Sequence, residues 1–422
     1  MPDSTPTGPG ARPGGSISRR DLLRMGTILG VLLLPVGCRN GDDGDGDSDD
    51  ERVDGDGERV DADVRSRVEN AGRRSVIVVG AGAAGLSAAH LLAQAGVEVL
   101  VLEAGSTHGG RVRDARDVVD FPLSLGAEWL HDDVEVLDEL VGRQVDVEVV
   151  GYGPEDTLGT YDGTLTSEPL DDDDLKFVGS SWLEVFDTYV VADIADRLQF
   201  DTRVVRIDAT GEGVTLADER GGSFEADAAI VTVPVTVLRD RDITFVPDLT
   251  DDKWAAIDDV EVWGGLKVFV EFAERFYPTF LTFPDSFTTA GQRLYYDAAH
   301  GQDRTAHVLG LFAVGAPAEP YQGLDADALR ERVLAELDEV FDGAASRSYR
   351  RHIVQDWSAE PHIRQAYVAD HADSQLVHRL GQPATDRVLF AGDAYTDGRN
   401  WSEVHVAADA ARIAAERLLA SW

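Results

Sequence analysis

Residues Ser75 to Val112 read SVIVVGAGAAGLSAAHLLAQAGVEVLVLEAGSTHGGRV. The run Val76-Ile77-Val78-Val79 suits a strand buried on both faces of a parallel sheet. Gly80-x-Gly82-x-x-Gly85 follows at once and opens a helix rich in Ala and Leu, expected over Ala83 to Gln94. A second apolar run, Val97 to Leu102, ends in the acid Glu103. Strand, glycine turn, helix, strand and acid are thus in the order that a dinucleotide site needs. Gly80 makes the tight turn, Gly82 lets the backbone approach a pyrophosphate, and Gly85 lets helix and strand come close. The phosphates belong at the helix N-terminus, where unpaired N–H groups and the dipole favour negative charge. Glu103, about twenty residues on, is placed to accept ribose hydroxyls. At this point the nucleotide is either NAD or FAD.

Upstream of this unit the chain reads as targeting sequence and tether. Ser18-Arg19-Arg20-Asp21-Leu22-Leu23-Arg24 matches a twin-arginine pattern, and Met25 to Gly37 is an apolar stretch too short for a stable membrane span. Leu34-Pro35-Val36-Gly37-Cys38 is similar to a lipobox, so Cys38 is a candidate lipid anchor in the cell envelope. Without lipidation the product is periplasmic or extracellular. Cys38 is the only cysteine, which excludes an intrachain disulfide and leaves no cysteine for a zinc or iron–sulfur site. Asn40 to about Arg73 is dense in Asp and Gly and poor in apolar residues, the composition of a flexible tether. Its repeated Asp lacks the Gly and Glu positions of an EF-hand, and no metal site is expected.

The 422 residues carry a formal net charge of −40. Acid spreads beyond the tether, as in Asp171-Asp172-Asp173-Asp174 and Asp251-Asp252. Such a surface repels phosphates and excludes nucleic acid as a partner, while it attracts cationic solutes within a Debye length. Lysine is rare: Lys176, Lys253 and Lys267 are the whole set. Lys176 and Lys253 sit among acids and are expected in solvent. Lys267 instead lies in the apolar run Val262-Trp263-Gly264-Gly265-Leu266-Lys267-Val268-Phe269-Val270, where a buried amine is costly unless used.

Further pieces follow the opening unit: Gly109-Gly110-Arg111-Val112, Gly126-Ala127-Glu128-Trp129-Leu130-His131, Arg203-Val204-Val205-Arg206-Ile207, Ala228 to Pro234, Gly264 to Val268, Trp357, Tyr367 and Phe390-Ala391-Gly392-Asp393-Ala394. Together they resemble the flavin-containing amine oxidases, a family that includes monoamine, polyamine and L-amino-acid oxidases. The resemblance covers roughly Ser75 to Trp422 and implies FAD as cofactor. It implies an α/β fold: a Rossmann-like FAD-binding domain with a parallel sheet and flanking helices, plus a discontinuous mixed α+β substrate domain. The FAD domain is expected from 75–131, 199–240 and 381–422, and the substrate domain from 132–198 and 241–380, after a signal over 1–38 and a tether over 39–74.

The family pattern assigns the cofactor to Gly80, Gly82, Ala84, Gly85, Glu103, Ala104, Gly110, Arg111, Gly126, Ala127, Glu128, Trp129, Val204, Trp357, Gly392, Asp393 and Val404, with Val204 at the adenine. Lys267 would hold a water at flavin N5, and Tyr367 with Trp357 would complete the catalytic set. The reaction so implied is oxidation of a C–N bond in a small amine or amino acid. Hydride passes to flavin N5, the imine hydrolyses, and O2 reoxidises the cofactor to give H2O2. Two other readings stand beside it: desaturation with a different electron acceptor, and a surface flavoprotein that has lost turnover.

The chain departs from the family at three places. Residues 132–198 are few for the family's helical substrate segment, so a more open active site is expected. Val406 and Ala411 stand where Gly is usual, with Val406 expected to crowd the flavin, and Val404 replaces a cage aromatic. Gln365 stands where Gly is usual before Ala366 and Tyr367.

Overall fold

The computed structural model describes residues 74–131, 134–302, 305–369 and 371–422. The expected signal, Cys38 and the stretch expected to be a tether, up to residue 73, lie outside the described residues. Ser75–Val79 is the central strand of a five-stranded parallel sheet, with Glu98–Leu102 and then Leu198–Gln199 on one side and Ala228–Val231 and Val388–Phe390 on the other. Its side chains alternate between two separate cores. Val76 and Val78 face one, and Ile77 and Val79 face the other. This double burial is why the strand shows no polar alternation. The helix Ala83–Gln94 lies on the first face with the C-terminal helix Val404–Ser421, and their alanines (Ala84 and Ala88; Ala407, Ala411 and Ala414) share that core. Small side chains permit this close approach of two helices and a sheet.

The second body is an eight-stranded, mainly antiparallel sheet built around Gly265–Phe272, His307–Gly315 and Gly291–Asp297. The helix Ala326–Val340 covers one face through Leu329, Val333 and Leu337, capped at its start by the Asp325 side chain. Gly265–Phe272 is buried throughout, with Leu266, Val268, Val270 and Phe272 turned toward that helix. Lys267, Phe269 and Glu271 therefore point to the opposite face, because strand side chains alternate.

The expected division of the chain needs correction. Segment 132–198 does not belong wholly to the substrate sheet. Leu137, Leu140, Trp182, Val185 and Phe186 enter the core of the nucleotide sheet, and only the hairpin Thr157–Tyr161 and Leu165–Pro169 joins the larger sheet. The helices Asp251–Asp259 and Ser374–Gly381, expected in the substrate domain, bury Ala256, Ile257, Val377 and Leu380 against the other face of the nucleotide sheet. Their apolar stripes look alike whichever sheet they cover.

Two lysines are also misplaced by a reading from neighbours in sequence. Lys176 and Lys253 are 3% and 4% exposed, not solvated. Lys253 donates to the carbonyls of Leu380 and Gln382 and lies over the Phe390 ring. Burial pushes its pKa well down. The acids beside Lys253 deceive because Asp251 and Asp252 are exposed on the helix while Lys253 is turned inward. In the Asp run, Asp172 and Asp174 are likewise buried.

Candidate active site

One cleft of about 520 Å³ runs along the join between the two sheets. At one end is the glycine turn. Gly80 has φ +105, a left-handed conformation that other residues rarely adopt, and its N–H donates to Leu102 O at 2.8 Å. A Cβ on Gly85 would lie 1.9 Å from Gly80 O, so Gly85 is the point where helix meets strand. A Cβ on Gly82 would meet no protein atom within 4 Å and would project where Gly82 lines the cleft. The helix beginning at Ala83 has no side-chain cap and no acid in its first turn. Its free N-terminal donors therefore suit an anion. Glu103 borders the same space, accepting from Ala81 N at 2.7 Å and Gly105 N at 2.7 Å, with lone pairs left for hydroxyl donors. These residues fit the pyrophosphate and ribose of a dinucleotide.

The Gly109–Gly110 loop packs directly onto this turn. Gly109 N donates to Ala81 O at 2.8 Å, and a Cβ on Gly110 would approach Gly82 Cα to 3.3 Å. Arg111 then reaches the turn after the strand Val388–Phe390, where Nη1 and Nη2 bond the two oxygens of Asp393 at 2.9 and 2.5 Å. Its Nη1 also donates to Ala366 O at 2.8 Å, so one guanidinium ties three chain segments at the cleft wall. Gly126 completes this wall, since a Cβ there would lie 1.7 Å from Arg111 O.

At the other end Lys267, Phe312, Trp357 and Tyr367 line the cleft. Phe312 and Tyr367 meet edge to face with centroids 6.0 Å apart. Trp357 is fixed by its Nε1 donating to Leu125 O at 3.1 Å and by the Arg113 guanidinium 5.0 Å from its ring. Lys267 Nζ donates to Ser124 O at 3.1 Å and to Glu128 Oε2 at 2.8 Å. Burial alone would raise the Glu128 carboxyl. Lys267, then Lys176, overrides it and holds the pKa down at about 2.

Of the residues singled out from sequence, Gly80, Gly82, Ala84, Glu103, Ala104, Gly110, Arg111, Gly126, Ala127, Val204, Lys267, Trp357, Tyr367, Gly392, Asp393 and Val404 come together in this cleft. Gly85, Glu128 and Trp129 do not line it. Glu128 stands behind Lys267, and Trp129 is buried beside Tyr296 with centroids 4.8 Å apart. The bulk expected from Val406 is also displaced. Val404 and Ala407, three residues apart on the helix, face the cleft, whereas Val406 is buried off its wall. Gln365 is likewise behind the wall, accepting from Thr236 N at 3.0 Å. Among the described residues, none from 128–201 lines the cleft. Sequence reasoning missed Phe312, Glu360, His362, Ser402 and Glu403, which also line it. Arg113, two residues beyond Arg111 in Gly109-Gly110-Arg111-Val112-Arg113, had a legible signal in that spacing.

A family model described as flavin containing amine oxidoreductase matches residues 187–419, more than half of the chain. The chain belongs to the flavin-containing amine oxidases. It is an FAD-dependent oxidoreductase of that family. A second model, an NAD(P)-binding Rossmann-like domain, matches residues 78–143 of this amine oxidase. The oxidase is 31% identical to probable polyamine oxidase 4 of Arabidopsis thaliana over 199 residues, a match spanning 46% of this chain and 38% of that protein. It is 24% identical to polyamine oxidase 5 of Oryza sativa subsp. japonica over 440 residues, 82% of this chain and 88% of the relative. Its fold is similar to that of wild-type putrescine oxidase bound to putrescine, with TM-score 0.67, 18% identity, and coverage of 82% of this chain and 99% of the other.

Proposed function

We propose that this oxidase removes two electrons from the C–N bond of a small amine and returns them to O2 as H2O2. The observation that carries the reading is the continuity of one cleft from the Gly80–Glu103 cradle to Lys267, Trp357 and Tyr367. When bound along that cleft, FAD supplies the two-electron acceptor and the route to oxygen. The chain's own residues hold and select. Gly82, the helix beginning at Ala83 and Glu103 would receive the pyrophosphate and ribose. Arg111, locked to Asp393, would set the wall beside them. Phe312 and Tyr367 present aromatic surfaces that suit a nitrogen centre. Lys267 carries positive charge at the wall, where it favours electron density developing beside it.

The same wall favours an amine over an amino acid. Its three arginines are each paired with acids: Arg111 with Asp393, Arg113 with Glu360 at 2.7 Å, and Arg203 with Asp242 at 3.0 Å. An α-carboxylate therefore meets no arginine whose charge is not already matched by an acid, whereas Glu403, which among the described residues faces no arginine or lysine but His405 at 3.1 Å, adds an acceptor for an ammonium group. The names of the plant relatives, polyamine oxidases, and of the structural neighbour, a putrescine oxidase, support testing polyamines and a diamine first. The test is anaerobic mixing of the FAD-loaded protein with putrescine, spermidine, spermine, simple monoamines and L-amino acids. Bleaching of the flavin absorbance by an amine is expected, and no bleaching by any of them would overturn the reading. We further propose export by the twin-arginine route with lipidation of Cys38. Replacing Arg19 and Arg20 by Lys should retain the protein in the cytoplasm, and Cys38→Ser should release it from the membrane fraction.

A further inference from the structure

Lys176 and Lys267 lie on strands far apart in sequence, yet both ammonium groups meet on one carboxylate. Lys176 Nζ is 3.0 Å from Glu128 Oε1, and Lys267 Nζ is 2.8 Å from Oε2. The three residues are only 3%, 4% and 8% exposed for Lys176, Lys267 and Glu128. Their other bonds are also defined. Lys176 donates to the carbonyls of Asp297 and Ala298 at 3.3 and 3.1 Å, and the Tyr296 hydroxyl donates to Glu128 Oε2. The Tyr296 ring centroid lies 5.6 Å from Lys176 Nζ and 5.4 Å from Lys267 Nζ, which favours both cations.

Two ammonium groups and one carboxylate leave a net charge of +1 in a space of low dielectric. A bare Lys267–Glu128 pair would be neutral and would cost less to bury. The other described acids near the triad make contacts of their own. Asp297, beside Lys176, is matched by Arg275 at 3.3 Å, and burial raises its pKa, which favours its neutral form. Asp156 faces His300 at 3.3 Å, and Asp174 faces His131 at 2.8 Å. Of the triad only Lys267 reaches the cleft wall.

We propose that Glu128 and Lys176 are positioning residues for Lys267: Glu128 fixes the ammonium, and Lys176 shares the carboxylate's charge, so that Lys267 presents net positive charge to whatever anion binds beside it. On the amine-oxidase reading, on which this rests, that anion is the cofactor in its electron-rich, reduced form. A neutral Lys267–Glu128 pair would hold the same geometry without the field.

The experiment is a reductive titration of the FAD-loaded full chain with dithionite, giving the cofactor's midpoint potential for wild type, Lys176→Met, Lys176→Arg and Glu128→Gln. Lys176→Met should shift the equilibrium toward the oxidised form at least about tenfold, a fall of about 30 mV, while Lys176→Arg stays close to wild type. Glu128→Gln leaves two adjoining ammonium groups, one of which must give up its proton. Its potential should therefore fall more steeply with rising pH than wild type's between about pH 6 and 9. A Lys176→Met potential equal to wild type's would overturn the proposal. So would equal shifts in Lys176→Met and Lys176→Arg, which report altered packing alone. Dithionite needs no substrate, so failure of the amine reading, seen as no bleaching by amines, is separable from failure here. Should Lys176→Met not fold, the wild-type chain labelled with nitrogen-15 at lysine Nζ has only three signals to resolve. Charged signals for both Lys176 and Lys267 through about pH 9 support the proposal, and a neutral signal from either at neutral pH overturns it.

Discussion

Lys267 is the residue on which sequence and structure converge from different sides. Sequence places an amine in an apolar strand; structure shows what makes it tolerable there. Lys267→Met should slow reoxidation by O2 about ten- to a hundredfold in stopped-flow measurements, with FAD content unchanged, because a fixed charge in a dry site is lost and no contact in the nucleotide cradle is touched. Equal loss of FAD and of reoxidation would contradict that role. Glu128 makes a separate prediction about stability. Its folded pKa is about 2 against an ordinary 4.5, so the folded state binds fewer protons than the unfolded one across that interval. The stabilisation is fully present above the unfolded value and is lost as pH falls from about 5 toward 2, on the order of 3 kcal/mol. Denaturant titrations should show wild type losing more stability than Glu128→Gln over that range. Parallel loss in both proteins would show that the carboxylate does not contribute this dependence.

At the scale of elements, the glycine turn separates two duties that its motif merges. Gly85 serves packing, since an added Cβ would lie 1.9 Å from Gly80 O. Gly82 serves the ligand, since an added Cβ meets no protein atom within 4 Å. Gly85→Ala should therefore lower the Tm of the FAD-free protein, at a cost of about 1–3 kcal/mol or more. Gly82→Ala should leave that Tm nearly unchanged and weaken FAD retention on dialysis at least about tenfold, the penalty expected when backbone approach to a pyrophosphate is blocked. A reversal of this order would mean that the two glycines have been assigned the wrong duties. The turn was readable because its constraint is local: strand, φ-positive glycine and helix N-terminus follow one another in the chain. Lys253 was not readable, because the carbonyls of Leu380 and Gln382 that hold it come from another helix and the loop after it.

Over the whole molecule, the formal charge of −40 concentrates cations near the surface, an effect confined to about 10 Å at moderate salt. If the substrate is a polyamine, kcat/KM should fall as NaCl is raised, and more steeply for a tri- or tetracation than for a monoamine. Identical salt slopes for all amines would remove long-range attraction from the account. The charge and its sign are properties of composition. How the chain divides between the two sheets is not: helices such as Asp251–Asp259 and Ser374–Gly381 bury ordinary amphipathic faces, and only the order of strands decides which sheet receives them.

By itself, the sequence determined the nucleotide unit, the lysine strand and the family pattern, because each is a local sequence of chemical types whose spacing already satisfies its geometry. Tertiary structure alone decided that Lys176 and Lys267 share Glu128, that Val406 and Gln365 stand behind the cleft wall, and that Phe312, Glu360 and His362 belong to it. These depend on which face of a strand or helix meets a segment distant in the chain. The free energy of burying three charges together appears only when those segments are brought into contact.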